Sequence, residues 1–144
     1  MSEQSVHFFS EDTDFKFSLE ASVGAWLSQV AQEEGHPEFQ MRYIFCSDPY
    51  ILQINIEYLS HDYYTDVITF SMSEGGSVEA DVFISVDTVR SNAKRFGVAF
   101  QDELLRVIVH ALLHMLGYDD KSEEDAAVMR EKENYYLAKY KNKE

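Results

Sequence analysis

The most informative segment of this sequence is LLRVIVHALLHML, residues 104–116. Ten of its thirteen residues are apolar, and the exceptions are Arg106, His110 and His114. Each step of four residues turns an α-helix by only about 40° beyond a full turn, so the three polar side chains form one stripe on an otherwise apolar helix. A buried helix that carries such a stripe presents it to a cavity or a ligand rather than to hydrocarbon.

The two histidines have the spacing of helical metal sites. Side chains four apart on one face can bring two imidazole nitrogens to about 2 Å from one ion. Gly117 can end the helix in a left-handed conformation, and Asp120 on the returning chain then supplies a third ligand. His110, His114 and Asp120 would leave one position of a tetrahedral ion open, as in catalytic sites. The alternative is that the histidines only pack in a core.

The residue after the first histidine argues against one class of enzyme. Zinc proteases of the His-Glu-x-x-His type place their general base there, and this chain has Ala111. A peptidase of that kind is therefore not expected.

Strands and further helices are predicted upstream and downstream of this segment. Short apolar, β-rich runs predict strands over residues 6–9, 41–46, 67–70 and 82–85, the last two flanking a turn region at Gly75 and Gly76. Helices are predicted from capping residues and apolar spacing. The predicted N-caps are Ser18, Asp48, Asp87 and Ser122, and the predicted ends are Gly35, Tyr58, Gly97 and Gly117.

Length and composition fit one domain. The chain has 144 residues, of which 45% are apolar and 26% charged, enough for one core of ordinary size. Only 6 Gly and 2 Pro occur, which excludes a low-complexity chain. We expect a single α+β domain over residues 1–144, with a small mixed β-sheet of about four strands packed with about five helices.

The charge balance restricts the partners. The formal net charge is -14, from 12 Lys and Arg against 26 Asp and Glu, which opposes non-specific binding to polyanions and anionic lipid. Residues 1–40 contain eight acids and one base, Lys16. Any nucleic-acid contact must be local, and Arg90, Lys94 and Arg95 on one predicted helix are the favoured place. The alternative is a solvated helix face.

Localisation follows from two further features. A single cysteine, Cys46, lies in an apolar run, as expected of a reduced, buried thiol. No signal peptide and no run of 18 uncharged apolar residues is recognised. We expect a cytoplasmic protein without a membrane span.

The motif around the histidines resembles a known family. Residues 109–120, VHALLHMLGYDD, are similar to the signature His-Gly-x-x-His-x-x-Gly-Tyr-Asp-His of the YbeY family. Residues 55–58, 65–70 and 81–84 resemble that family's Asn-x-x-Tyr-Arg, Pro-Thr-Asp-Val-Leu-Ser-Phe and Gly-Asp-Ile segments. The resemblance implies a zinc-dependent, single-strand-specific endoribonuclease that acts in 16S rRNA 3′-end maturation and ribosome quality control. The implied partners are rRNA and the small ribosomal subunit, with neither a membrane nor DNA.

Three positions depart from the family pattern. Asp120 stands where the usual third ligand is His, Leu59 where the family has Arg, and Ala111 where it has Gly. Two histidines and a carboxylate also suit iron, nickel or manganese. The family's Arg is associated with RNA binding or catalysis, and Arg106 can partly replace it or can instead form an ion pair with a buried acid. The candidate catalytic residues are thus His114, through the metal, and Arg106.

Other interpretations of the sequence remain open. The chain can be a metal-dependent hydrolase of another substrate, or a non-catalytic, metal-stabilised ribosome assembly factor. Asp66 and Asp81, each expected just before a strand, can be N-caps, turn residues or partners of the metal histidines. Of the remaining histidines, His7 and His36 are expected in surface or strand positions, and His61 in a loop.

Overall fold

The computed structural model of the chain describes residues 5–59, 65–73 and 77–142. Its four strands form one sheet in the order β1-β2-β4-β3. Strands β1, β2 and β4 are parallel, and β3 is antiparallel to β4. The strands are β1 (Val6–Glu11), β2 (Phe39–Cys46), β3 (Val67–Ser71) and β4 (Val78–Ser85). The prediction of a mixed, four-stranded sheet is confirmed; His61 and the Gly75-Gly76 turn lie outside the described residues.

Five helices complete an α+β domain, as predicted. They are α1 (Glu20–Glu33), α2 (Asp48–Leu59), α3 (Val86–Phe96), α4 (Phe100–Met115) and α5 (Glu123–Asn142). In the part of the chain that the structure describes, none of these helices is long and apolar enough to span a membrane.

The main core lies between one face of the sheet and helices α1, α3, α4 and α5. Burial alternates along β2 and β4, so every second side chain points into this core. Helix α4 lies at its centre, because its apolar residues from Leu104 to Leu113 are all buried. The buried hydroxyl of Tyr43 donates to the carbonyl oxygen of Ile108 at 2.8 Å, which fixes α4 against β2.

A smaller cluster lies on the opposite face, under α2. Its buried members are Cys46, Ile51 and Ile68. Burial, reinforced by the charge of Asp48, raises the pKa of the Cys46 thiol to about 12. The predicted burial of Cys46 is confirmed, and its thiol is free.

Three predicted helix caps are wrong. Helix α1 has Leu19 at its N-cap without a side-chain hydrogen bond, so Ser18 lies outside the helix. Ser47, not Asp48, accepts the amide hydrogen bond at the start of α2, from Tyr50. Ser85, not Asp87, caps α3 by accepting from Thr88 N–H. The side chain of Asp48 accepts instead from the hydroxyls of Ser85 and Thr88, at 2.5 and 2.6 Å.

The C-terminal ends of the helices agree better with the prediction from the sequence. Gly97 at the end of α3 and Gly117 after α4 have φ angles of 70° and 115°, which only glycine adopts without strain. Helix α4 begins at Phe100, earlier than the apolar segment 104–116, and the additional first turn contains Asp102 and Glu103. Acidic residues in a first turn suit the helix dipole.

Candidate functional site

The polar stripe of α4 leaves the core, as its spacing predicts. Arg106 and His110 are half-buried and His114 is exposed, whereas the apolar residues between them are buried. The stripe faces the middle of α5, at Glu133 and Asn134, and the turn that follows Gly117. These two elements supply all the partners of the stripe residues described below.

Glu133, on α5, connects the first two residues of the stripe. Its side chain is only 7% exposed. Oε1 accepts from Nη1 of Arg106 at 2.8 Å, and Oε2 lies 2.6 Å from Nδ1 of His110. Burial by itself raises the pKa of Glu133, but the hydrogen bonds from His110 and Arg106 outweigh it, and the pKa is lowered. Glu133 is therefore an ionised acceptor.

This contact determines the state of His110. An ionised carboxylate can only accept, so Nδ1 of His110 carries the proton and Nε2 faces away from Glu133. The hydrogen bond to Glu133 raises the pKa of His110, and burial opposes the rise. Metal-binding histidines usually donate such a hydrogen bond from one ring nitrogen to a carboxylate. The bond fixes the orientation of the ring and leaves the other nitrogen, here Nε2, free to bind the metal.

Asp120 lies beside the free nitrogen. Its Oδ2 atom is 3.5 Å from Nε2 of His110, and its side chain is 48% exposed. Two ligands that each lie about 2.1 Å from a tetrahedral ion are about 3.4 Å apart. The turn through Gly117 and Tyr118, closed by the hydrogen bond from Tyr118 N–H to the Leu113 carbonyl, brings Asp120 to this position.

His114 is oriented in the same way by a different acceptor. Its Nδ1 lies 3.2 Å from the carbonyl oxygen of Tyr118, which can only accept, so Nε2 is again the free nitrogen. Both histidines thus present the nitrogen that a metal would use. The donor set of two imidazoles and a carboxylate fits zinc and similar divalent ions chemically.

The structure brings together part of the predicted ligand set. Across residues 5–59, 65–73 and 77–142, no three His, Cys, Asp or Glu side chains are grouped closely enough to hold an ion. His110 and Asp120 are paired, whereas His114 is exposed nearby on the next turn of α4. The three-ligand site remains a prediction.

Arg106 forms an ion pair with the buried acid Glu133, which is one of the two roles predicted for it. Besides Glu133, it donates from Nη2 to Oδ1 of Asn134 at 2.8 Å. Its guanidinium thus has two partners on α5. A direct role in catalysis remains a prediction.

The two aspartates near predicted strands differ. Asp81 lies inside β4, not before it, and pairs with Arg42 on the neighbouring strand at 2.5 Å, so it is neither a cap nor a partner of the histidines. Asp66 precedes β3, and its carbonyl accepts from Ser85 N–H. Burial raises the pKa of Asp66, and an electrostatic interaction with His110 opposes the rise. A role for Asp66 as a partner of the metal histidines remains a prediction.

Glu133 is the functional residue that sequence reasoning missed. Met129, Glu133, Tyr136 and Leu137 are the buried residues of α5, at helical spacing. An acid at a core-facing position of a helix is the signal that identifies it, because a buried carboxylate needs charged or hydrogen-bonding partners.

Comparison with known proteins identifies the family of this chain. The family model described as "Endoribonuclease YbeY" matches residues 5–141. A relative from Cytophaga hutchinsonii with that name is 45% identical over 139 residues, covering 96% of this chain and 97% of the relative. A relative from Bacteroides thetaiotaomicron, also so named, is 49% identical over 113 residues, covering 78% and 82%. A solution structure of a Thermotoga maritima protein, 24% identical, has a TM-score of 0.72 over 96% of this chain and 90% of that one, and supports the fold.

Proposed function

Because the chain belongs to the YbeY endoribonuclease family, we propose that it hydrolyses phosphodiester bonds in RNA at the site formed by His110 and Asp120. The observation that carries the proposal is the oriented His110 ring, held by Glu133 on one side and paired with Asp120 on the other, within the segment that the family model matches. Support for RNA as the substrate comes from the family.

The function implied by the YbeY family also suggests which RNA is the substrate. We propose single-stranded RNA, with 16S rRNA 3′-end maturation and ribosome quality control as the process and the small ribosomal subunit as the partner. The action is cytoplasmic, where this RNA is made and processed. A net charge of -14 supports recognition at a local site, because general attraction to RNA is absent.

A divalent metal is part of the proposal. His110 and His114 would hold it through their Nε2 atoms and Asp120 through a carboxylate oxygen, and zinc is the proposed ion, with nickel, iron or manganese also suited to this set. When bound, such an ion polarises a phosphoryl oxygen and lowers the pKa of its water.

The other residues position and balance the site. Glu133 keeps His110 in the tautomer whose Nε2 is free. Arg106 neutralises Glu133, so the buried carboxylate is compensated from two sides. Ala111 is buried in the core and provides no general base, so we do not expect peptide hydrolysis of the His-Glu-x-x-His type.

The test is cleavage of a labelled single-stranded RNA by the purified full chain. We expect slow cleavage that stops with a chelator and in the His110→Ala variant, purified in parallel to control for contaminating nucleases. A peptide substrate should remain intact. Cleavage of the RNA at equal rates by the wild type and His110→Ala would overturn the proposal, and so would metal-dependent peptidase activity without RNA cleavage.

A further inference from the structure

A cavity of about 630 Å³ lies between α4 and α5, beside the C-terminal end of α3. Its volume is within the range of about 300–1,000 Å³ that is usual for small-ligand pockets. It lies outside the pair formed by His110 and Asp120, and Arg106 forms part of its wall. The walls combine cationic side chains, Arg106, Arg130 and Lys141, with apolar ones, Phe96, Val98 and Leu137.

The charge of this cavity differs from that of the protein. Three of the chain's 12 basic residues line it, together with two acids, Asp102 and Glu103. Lys141 lies 3.2 Å from Asp102 in an ion pair whose two side chains are both exposed, so its ammonium group can also reach a phosphate. Burial raises the pKa of Glu103, and the charges of Arg106 and Arg130 oppose the rise.

Arg130 is the cation that is available to a ligand. Arg106 is already bound to Glu133. By contrast, Arg130 is exposed and forms no ion pair with any residue in the part of the chain that the structure describes. A guanidinium in this state suits a phosphate, to which it can donate two parallel hydrogen bonds.

The cavity also has groups that suit a nucleobase. The ring of Phe96 is 55% exposed, and the guanidinium of Arg95 lies 5.2 Å from its centroid. Asn134 uses its amide oxygen to accept from Arg106, so its N–H groups remain as donors. Stacking on an aromatic ring and hydrogen bonds to an amide are the usual means of binding an unpaired base.

The cavity lies close to the proposed cleavage site along α4. Arg106 precedes His110 by one helical turn, which is about 6 Å along the axis. Glu133 is hydrogen-bonded to both residues. Neighbouring nucleotides of one strand rise by about 3.4 Å in a helical stack. One or two nucleotides therefore span the distance from the cavity to His110.

We propose that this cavity binds a nucleotide of the RNA strand next to the bond that is cut, with its base against Phe96 and its phosphate against Arg130 and Lys141. The inference rests on the proposed function for the identity of the strand, and on the cavity's own residues for the chemistry of the ligand. Arg130 and Lys141 act as substrate-binding residues, separate from the residues that hold the metal.

The experiment uses the full chain in two measurements. In the first, adenosine monophosphate is titrated against the protein while backbone amide resonances are followed by NMR. The expected result is chemical-shift changes at Asn134 and Ala138, which line the cavity, and these changes should disappear in the Arg130→Gln/Lys141→Gln double variant. In the second, kcat and KM are measured for a single-stranded RNA oligonucleotide. The double variant should raise KM about tenfold by loss of charge-assisted hydrogen bonds, with kcat unchanged. Lys16→Gln, an exposed lysine elsewhere, is the matched control.

The outcomes separate this inference from the proposed function. If the wild type cleaves RNA but adenosine monophosphate shifts no cavity resonance and KM stays constant in the double variant, the cavity proposal is overturned and the function stands. Shifts confined to the surroundings of His110 and Asp120 also overturn it. If adenosine monophosphate binds in the cavity but RNA is not cleaved, the ligand chemistry is supported and the proposed function fails.

Discussion

Nδ1 of His110 lies 2.6 Å from Oε2 of Glu133, so one buried carboxylate of α5 fixes the ring whose other nitrogen faces Asp120. The same carboxylate binds Arg106 through its second oxygen. Two helices that are packed in the core thereby determine the orientation of a partly exposed histidine. A site held by rigid elements keeps its geometry before any ligand arrives.

We predict that Glu133→Gln weakens metal binding by about 10- to 100-fold, because partners that hold a metal-binding histidine have effects of this size. The amide keeps the shape of the side chain but removes the charge that favours the protonated Nδ1. Zinc affinity measured by competition with a chromophoric chelator checks this. Glu131→Gln, an exposed neighbour on α5, should leave the affinity unchanged. Equal affinities for both variants would contradict the role of Glu133.

We predict one metal ion per chain, and less in His110→Ala, His114→Ala and Asp120→Ala. Each change removes one of the three proposed ligands. Mass spectrometry of the undenatured protein, with zinc added if the sample is empty, measures the stoichiometry. His36→Ala provides a control on a histidine outside the site. If His114→Ala retains the metal as the wild type does, His114 is not a ligand.

The sequence predicted those parts of the site that depend on one helix and its end. The four-residue spacing placed Arg106, His110 and His114 on one face, and Gly117 allowed the turn that brings Asp120 back. Glu133 could not be paired with His110 from spacing, since 23 residues separate them and their contact depends on how α5 packs on α4. How closely Asp120 approaches His114 depends likewise on the conformation of the turn after Gly117.

The same distinction explains the fold. Apolar periodicity is a local property, and it predicted the strands and helices in the right order. The predicted caps of α2 and α3 were wrong because the side chains predicted as caps form hydrogen bonds to the start of the other helix instead of within their own helix. Asp48 N–H donates to Asp87, and Ser85 O–H donates to Asp48. Such hydrogen bonds between elements depend on tertiary packing, which short sequence patterns do not predict.

We predict that Glu34→Gln destabilises the fold by about 2 kcal/mol at neutral pH, the usual size for hydrogen bonds to a charged group. Glu34, just after α1, accepts from the hydroxyls of Tyr118 and Tyr136 and from Lys132. It therefore connects α1 to α5 and to the turn before Asp120. Urea unfolding at constant pH measures the loss, and Glu38→Gln, on an exposed side chain, should cause little change.

The pH dependence of this contribution has a definite sign. Burial alone raises the pKa of Glu34, but the hydrogen bonds from Tyr136, Tyr118 and Lys132 outweigh it, and the pKa lies below its ordinary 4.5. A carboxylate with a lowered folded pKa stabilises the fold above its unfolded pKa, and the contribution disappears as pH falls through the folded pKa. The stability difference between the wild type and Glu34→Gln should therefore shrink below pH 4.5. A constant difference across this window would contradict the assignment.

RNA can approach this acidic protein only where basic side chains are locally exposed. Three basic side chains are exposed on α3 and form no ion pairs within the described residues: Arg90, Lys94 and Arg95. Arg95 lies over the ring of Phe96, which lines the cavity between α4 and α5. The Lys94→Glu/Arg95→Glu variant should bind single-stranded RNA more weakly. Its log-log salt dependence should also be shallower, by about 0.7 for each phosphate that the variant no longer binds. Fluorescence anisotropy at several salt concentrations measures both effects.

Lys16→Glu, in the acidic N-terminal region, should change neither the affinity for RNA nor its salt dependence, and the metal content of all variants should be equal. An unaltered slope in the double variant would mean that α3 is a solvated face and that RNA reaches the site from another side.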